Sequence, residues 1–283
     1  DENGWTPQSL AARYGHIECL QLLLNAKANI NAVDKDGCTP SISAAMQGET
    51  ACLQLLLDSK ADIGVTSSLD YTALLVAAML GHTECLKLLL DAKANIRAAN
   101  VNGCTGLLLA ARNGHTGCLQ LLLDAKADID AMDKEGATAS IAAAWQGNTA
   151  CLELLVKEKA DINTTMEPHG LTPLFAAAMM NHAASLQLLI DAKADIDSKL
   201  RNSSTALTIA RANDLDDIVN ILLKAQRRKA LTREVRGDPD SLSISSMVET
   251  QARTIRDLVT SKASLECVDY NGNTPLLLAT KHS

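Results

Sequence analysis

The chain has very few aromatic side chains: two Trp, three Tyr and one Phe among 283 residues. A core without them must be built from Ala and Leu, which implies thin, closely packed helices rather than a bulky globular interior. An excess of positive charge is missing too. The net charge of −7 argues against nucleic acid or an anionic membrane as the main partner, since both require a positive field. No run approaches the roughly 18 uncharged apolar residues of a membrane span, so direct membrane insertion is not expected, and no signal peptide opens the chain. There is no nucleophile elbow, phosphate loop, His-Glu-x-x-His helix or Gly-rich dinucleotide turn. Neither catalysis nor a bound cofactor is therefore expected.

Cysteine, by contrast, is plentiful and regular. Of eight cysteines, Cys19, Cys52, Cys85, Cys118 and Cys151 recur every 33 residues. Stacked helix pairs sit about 10 Å apart, whereas disulfide-bonded Cα atoms lie within about 7 Å. The cysteines are therefore expected to be reduced, buried and Val-sized, in a reducing intracellular compartment, the cytoplasm above all. The segments around them repeat as well. Ala11–Ala28, Ala44–Ala61, Ala77–Ala94, Ala110–Ala127 and Ala143–Ala160 align in one frame, and Ala177–Ala194 follows after a one-residue insertion. Upstream of such segments lie turns: 34–40 (DKDGCTP), 100–105 (NVNGCT), 133–138 (DKEGAT) and 269–275 (DYNGNTP).

The physics of one unit follows from these residues. Asp or Asn in the turn supplies a side-chain acceptor, and Gly supplies a position that tolerates positive φ. Thr39, Thr105 and Thr274 are candidate N-caps, and Pro follows Thr in Thr6-Pro7, Thr39-Pro40, Thr172-Pro173 and Thr274-Pro275, the favoured first helical position. A short Ala-rich helix is expected to end near Gly15, Gly48, Gly81, Gly114 or Gly147. A second helix then carries Leu at neighbouring positions such as Leu119, Leu122 and Leu123. One such pair cannot bury its apolar face alone; the neighbours on both sides complete the core.

The elements D-x-x-G-x-T-P, A-A-x-x-G-H and L-L-x-x-x-A-D/N-I, recurring together at 33 residues, resemble the ankyrin repeat over essentially the whole chain. The fold class this implies is an all-α solenoid of stacked helix-turn-helix units joined by β-turn or hairpin loops. As one domain over 1–283, the units read 1–33, 34–66, 67–99, 100–132, 133–165, 166–199 and 200–235, then a degenerate unit 236–268 and a partial one 269–283. Two features depart from the family pattern. Its His after Thr-Pro-Leu is absent, and its Gly after the second helix is replaced by Lys27, Lys60, Lys93, Lys126, Lys159 and Lys193. The final stretch, 274–280 (TPLLLAT), is apolar and unfinished, so the array is expected to continue or to pack against something else.

His16, His82 and His115 each precede a Cys by three residues, a pair that could offer two zinc ligands. Further ligands would have to come from a unit about 10 Å away, so the favoured reading is a hydrogen-bonded His over a core Cys, with no metal. The Lys ladder, accompanied by Asp or Asn, reads as solvated surface at helix C-termini. The basic and Ser-rich segment 226–246 reads either as a patch for an acidic partner or for phosphate on its serines, or equally as a solvated extension of the preceding helix; either way the array is expected to bend or loosen there.

The resemblance implies that partners are met on the concave side, through turn tips and the two residues ending each first helix. Those positions here hold Trp5, Arg13, Tyr14, Met46, Gln47, Tyr71, Met79, Leu80, Arg112, Asn113, Trp145, Gln146, Met179 and Met180. Five of the six aromatics, counting Tyr270, and four of the seven Met fall there; only Phe175 takes a core position. Trp, Tyr, Met and Arg are the types enriched at interface cores. A non-catalytic protein-binding scaffold is the expected function. The alternatives are a permanent subunit of a large assembly, or the targeting part of a longer enzyme or channel.

Overall fold

A computed structural model describes residues 4–235 of the chain; units 236–268 and 269–283, with Tyr270 and Thr274, lie outside them. The described residues fold into fourteen helices that alternate short and longer. The first helices of the seven units are α1 (Pro7–Arg13), α3 (Pro40–Gln47), α5 (Ala73–Leu80), α7 (Gly106–Arg112), α9 (Ala139–Gln146), α11 (Pro173–Met179) and α13 (Ala206–Ala212). The second helices are α2 (Ile17–Asn25), α4 (Thr50–Asp58), α6 (Thr83–Asp91), α8 (Thr116–Asp124), α10 (Thr149–Lys157), α12 (Ala183–Asp191) and α14 (Asp216–Val235). Among the described residues the loops carry no full strand. The hairpin character is confined to two antiparallel bridges, Ala99 with Thr105 and Met166 with Leu171.

Each first helix opens on a Thr whose hydroxyl accepts the backbone N–H three residues on, from Thr6 to Ser9 through Thr205 to Thr208. This satisfies one of the four orphan donors at a helix start. The turn before it is held by a side chain: Asp34 Oδ1 accepts from Asp36 and Cys38 N–H, and Asn100 and Asp133 repeat the device. Successive turns then join through the backbone. Ser68 N–H donates to Asp36 O, Val101 N–H to Leu69 O, and Lys134 N–H to Asn102 O.

The first helices are sandwiched between neighbours and are buried nearly all round. Ala makes this possible, because only a methyl separates adjacent backbones: Ala77, Ala78, Ala110, Ala111, Ala143 and Ala144 have no exposed surface. Where the family keeps a His, this chain packs Ile42, Leu75, Leu108, Ile141 and Phe175, all fully buried. An apolar ladder thus replaces a polar one. The second helices bury one face, as in Cys85, Leu86 and Leu89 of α6.

Histidine links units in the way the residue pattern suggests. His82, His115 and His182 place Nε2 3.3, 3.1 and 3.0 Å from the carbonyls of Met46, Met79 and Trp145 in the preceding unit. A carbonyl only accepts, so Nε2 carries the proton. In unit 5 Asn148 does the same work, donating to Ala111 O and Arg112 O. The His ring lies against a Gly of the unit before it: a Cβ on Gly81, whose φ is +79°, would stand 2.5 Å from His115 Nδ1.

One expectation needs correction, and one left open is decided. Six of the seven described cysteines are buried, but Cys19 is exposed, because among the described second helices α2 has a neighbour on one side only. The basic run after Leu223 takes the helix-extension reading within the described residues. It continues as helix to Val235, and Lys229 reaches back to Asp195 and Asp197; residues 236–246 lie outside those described.

The Lys that replaces the family's Gly keeps the glycine's conformation. Lys27, Lys60, Lys93, Lys126, Lys159 and Lys193 all have φ between 61° and 67°. In unit 1, Lys27 N–H donates to Leu24 O and Ala28 N–H to Leu23 O, the paired bonds of a Schellman termination. A left-handed L-residue costs about 1–2 kcal/mol, which favourable contact with the helix dipole offsets by about 0.3–1 kcal/mol. In urea unfolding, Lys126→Gly is therefore expected to match or exceed the parent by up to about 1 kcal/mol. Lys126→Val should fall below it by more than about 1 kcal/mol, since a β-branched residue is a poor occupant of this region. A reversed order would show that the backbone conformation is not what limits this position.

Thiol chemistry gives a second check. Burial pushes Cys151 up to about 11 from an ordinary 9.0, and it does the same for Cys52 with help from Glu49 and Glu18. A raised folded pKa means the native state holds its proton more tightly, so stability is intact below pH 9 and falls as pH rises toward 11. Brief alkylation at pH 8 followed by peptide mapping should label Cys19 first among the seven. In Cys151→Val the loss of stability between pH 9 and 11 should be shallower than in the parent.

Candidate functional site

The fourteen residues singled out from the sequence stand where the unit geometry puts them, at hairpin tips and first-helix ends. They share the surface unequally. Tyr14 and Leu80 are 57% and 39% exposed, and Gln47, Asn113 and Gln146 are exposed. Trp5, Arg13, Arg112 and Met180 are half-buried. Met46, Tyr71, Met79, Trp145 and Met179 are half-buried and pack against the core, so each divides its surface between neighbouring helices and solvent.

Two groups come together. In the first, the Arg13 guanidinium lies over the Trp5 ring at 4.8 Å and donates from Nη1 to Met46 Sδ at 3.3 Å. In the second, Arg112, Trp145 and Gln146 line one cavity with Asp133. Arg112 Nη2 stands 3.5 Å from Asp133 Oδ2, with the Arg side chain 40% exposed and the Asp side chain only 4%. That carboxylate is fully employed. Oδ1 accepts from Glu135 and Ala137 N–H, and Oδ2 accepts from Arg112 and from Cys104 Sγ. Between the two groups, Tyr71 OH accepts from Asn100 Nδ2 at 2.9 Å, which fixes the ring at its hairpin.

Three contributors escape the sequence pattern. Asp133 reads there only as a turn residue, and its partnership with Arg112 depends on stacking across 21 residues of sequence. Leu69, 58% exposed, occupies a turn-tip position where other units carry Asp36, Asn102 or Glu135; an apolar residue at a charged tip is the signal that could have found it. Met132, also exposed, sits just before the unit 5 turn.

The two cysteines that follow the turn glycines are not activated nucleophiles. Burial, with the Asp34 and Asp36 carboxylates adding to it, holds the Cys38 thiol at about 11, and burial raises Cys104. Neither is a thiolate near neutrality. Among the described residues no three His, Cys, Asp or Glu gather as a metal site, and no helix is long and apolar enough to cross a membrane.

The same unit geometry recurs in known proteins. Ankyrin repeats, as a three-copy family pattern, match residues 1–67, 44–133, 74–166 and 140–233. The chain belongs to the ankyrin repeat family. The human ASB11 ankyrin repeat domain superposes with a TM-score of 0.71 at 23% identity, covering 78% of this chain and 98% of that one. The ankyrin repeat domain of Bcl-3, described as a unique member of the IkappaB protein family, gives 0.67 at 25% identity, covering 78% and 99%. Among curated proteins no sequence matches. Ankyrin repeats are in general protein–protein interaction modules and typically non-catalytic.

The saturated Asp133 carboxylate makes a direct prediction about this site. Asp133→Ala should cost about 2–3 kcal/mol in urea unfolding, since two backbone N–H groups lose their acceptor. Asp133→Asn should cost less, because Asn100 already serves the same turn in unit 4. Equal losses would mean that the charge pairing with Arg112, and not the turn, carries the energy.

Proposed function

We propose that this array is a non-catalytic scaffold that binds a protein partner along its first-helix ends and hairpin tips, the concave side of an ankyrin solenoid. The anchors are Trp5, Tyr14, Met46, Tyr71, Met79, Arg112 and Trp145. The observation that carries this reading is the partial exposure of bulky side chains at the post-turn and first-helix-end positions, on a backbone clamped from unit to unit. His82, His115 and His182 bond to the carbonyls of Met46, Met79 and Trp145 themselves, so three anchors sit on immobilised backbone. Preorganisation of this kind lowers the entropy lost on binding, and Trp, Tyr and Arg are the residue types that dominate interface energies.

Capture from native lysate tests the proposal. The parent array is compared with a Trp5→Ala, Tyr71→Ala, Trp145→Ala variant of matched helicity and melting behaviour. A partner retained by the parent should be weakened at least about tenfold in the variant, given hot-spot losses of about 2 kcal/mol or more. Equal capture by both would remove this face from the function.

A further inference from the structure

The cavity shared by Arg112, Asp133 and Trp145 goes further than a contact surface. Resting on the reading above, we infer that it is an anchor pocket that receives one large uncharged side chain, aromatic or aliphatic, from the partner protein. Its volume, about 270 Å³, falls below the roughly 300–1,000 Å³ typical of small-molecule sites, which suits one side chain better than a metabolite.

The pocket exists because of two small residues. The position after the turn Gly holds Trp5, Cys38, Tyr71, Cys104, Ala137 and Leu171 in successive units. The fourth position of the first helix holds Leu10, Ser43, Val76, Leu109, Ala142 and Ala176. Unit 5 has Ala at both places, where unit 3 has Tyr71 and Val76 and unit 4 has Cys104 and Leu109. The missing volume lies beside the largest side chain at any of the helix-end positions, Trp145. Ile141 and Met166 complete an apolar floor.

The rim decides the charge of the occupant. Four charged residues line it, Arg112 and Lys134 with Asp133 and Glu135, two of each sign. Asp133 is already saturated by two backbone N–H groups, a thiol and Arg112. A charged side chain entering this space would meet a like charge on one side and lose its hydration over an apolar floor, a cost that pairing with Lys134 or Glu135 offsets little, since both are solvent-exposed. An uncharged side chain meets neither penalty and gains the Trp145 face.

The test uses the indole N–H resonances of the two tryptophans, assigned with Trp5→Phe, and four probes: the N-acetyl amides of Phe, Leu, Asp and Arg. The Phe and Leu probes should shift the Trp145 resonance saturably, with dissociation constants on the order of 1 mM as expected for fragments of this size. The Trp5 resonance should stay in place, and the Asp and Arg probes should bind at least about tenfold more weakly. Ala142→Leu, which fills the space, and Ala137→Leu as a second blocking variant should abolish the shift while keeping helicity. Absence of saturable binding, preference for a charged probe, or unchanged binding in both filled variants overturns the inference. Against a partner captured by the parent, Ala142→Leu should weaken capture about tenfold. If capture survives Ala142→Leu yet is lost in the triple variant, the pocket assignment fails and the concave-face reading stands; if the triple variant captures equally, that broader reading is what fails.

Discussion

The burial of the Ala-rich first helices between their neighbours is the constraint on which the rest of this structure depends. A helix buried all round offers solvent nothing and must find apolar contact on each side, so no unit satisfies itself. Close approach demands small residues, which is why Ala pairs recur at Ala44-Ala45, Ala77-Ala78, Ala110-Ala111 and Ala143-Ala144. The helix-end positions lie where the Ala stripe stops, and at Met46, Met79, Arg112 and Trp145 the backbone is pinned by a His or Asn of the next unit.

The array tolerates exchange wherever the physical requirement is narrow. The inter-unit clamp needs a side-chain N–H at the right height, and Asn148 provides it as His82 and His115 do. The termination of the second helix needs a left-handed backbone, and Lys adopts it six times at an energetic cost Gly would avoid. Buried Ser41 and Ser140 hydroxyls lack a partner, a further small sacrifice where an Ala would pack as well. By contrast, the places that vary without such a rule, Trp5, Tyr71, Met79, Arg112 and Trp145, are those with part of their surface left open. A scaffold indifferent to these positions can present them to another molecule.

Much of this architecture is legible in the residues alone. The 33-residue period marks the unit boundaries through 200–235, the Thr-Pro pairs mark helix starts, and Gly-His marks the entry to the second helix. The site is legible only as register positions. Which of them meet, Arg13 with Trp5 and Met46 or Arg112 with Asp133 and Trp145, depends on stacking distances that no spacing rule contains. The extension of α14 to Val235 agrees with the helix extension that the basic run allowed, but its tie back through Lys229 to Asp195 and Asp197 depends on stacking.

The sharpest division lies in one repeated hexapeptide. Residues 19–24, 52–57 and 118–123 all read CLQLLL, and the sequence alone determined that each forms the same amphipathic turn of a second helix. Tertiary structure decided what each copy does. Cys52 and Cys118 are buried while Cys19 is exposed, and Leu22 stands open where Leu55 and Leu121 are half-covered. Local backbone preference is written in the residues themselves, whereas burial is a property of the neighbours, and among the described second helices α2 is flanked on one side only, by α4.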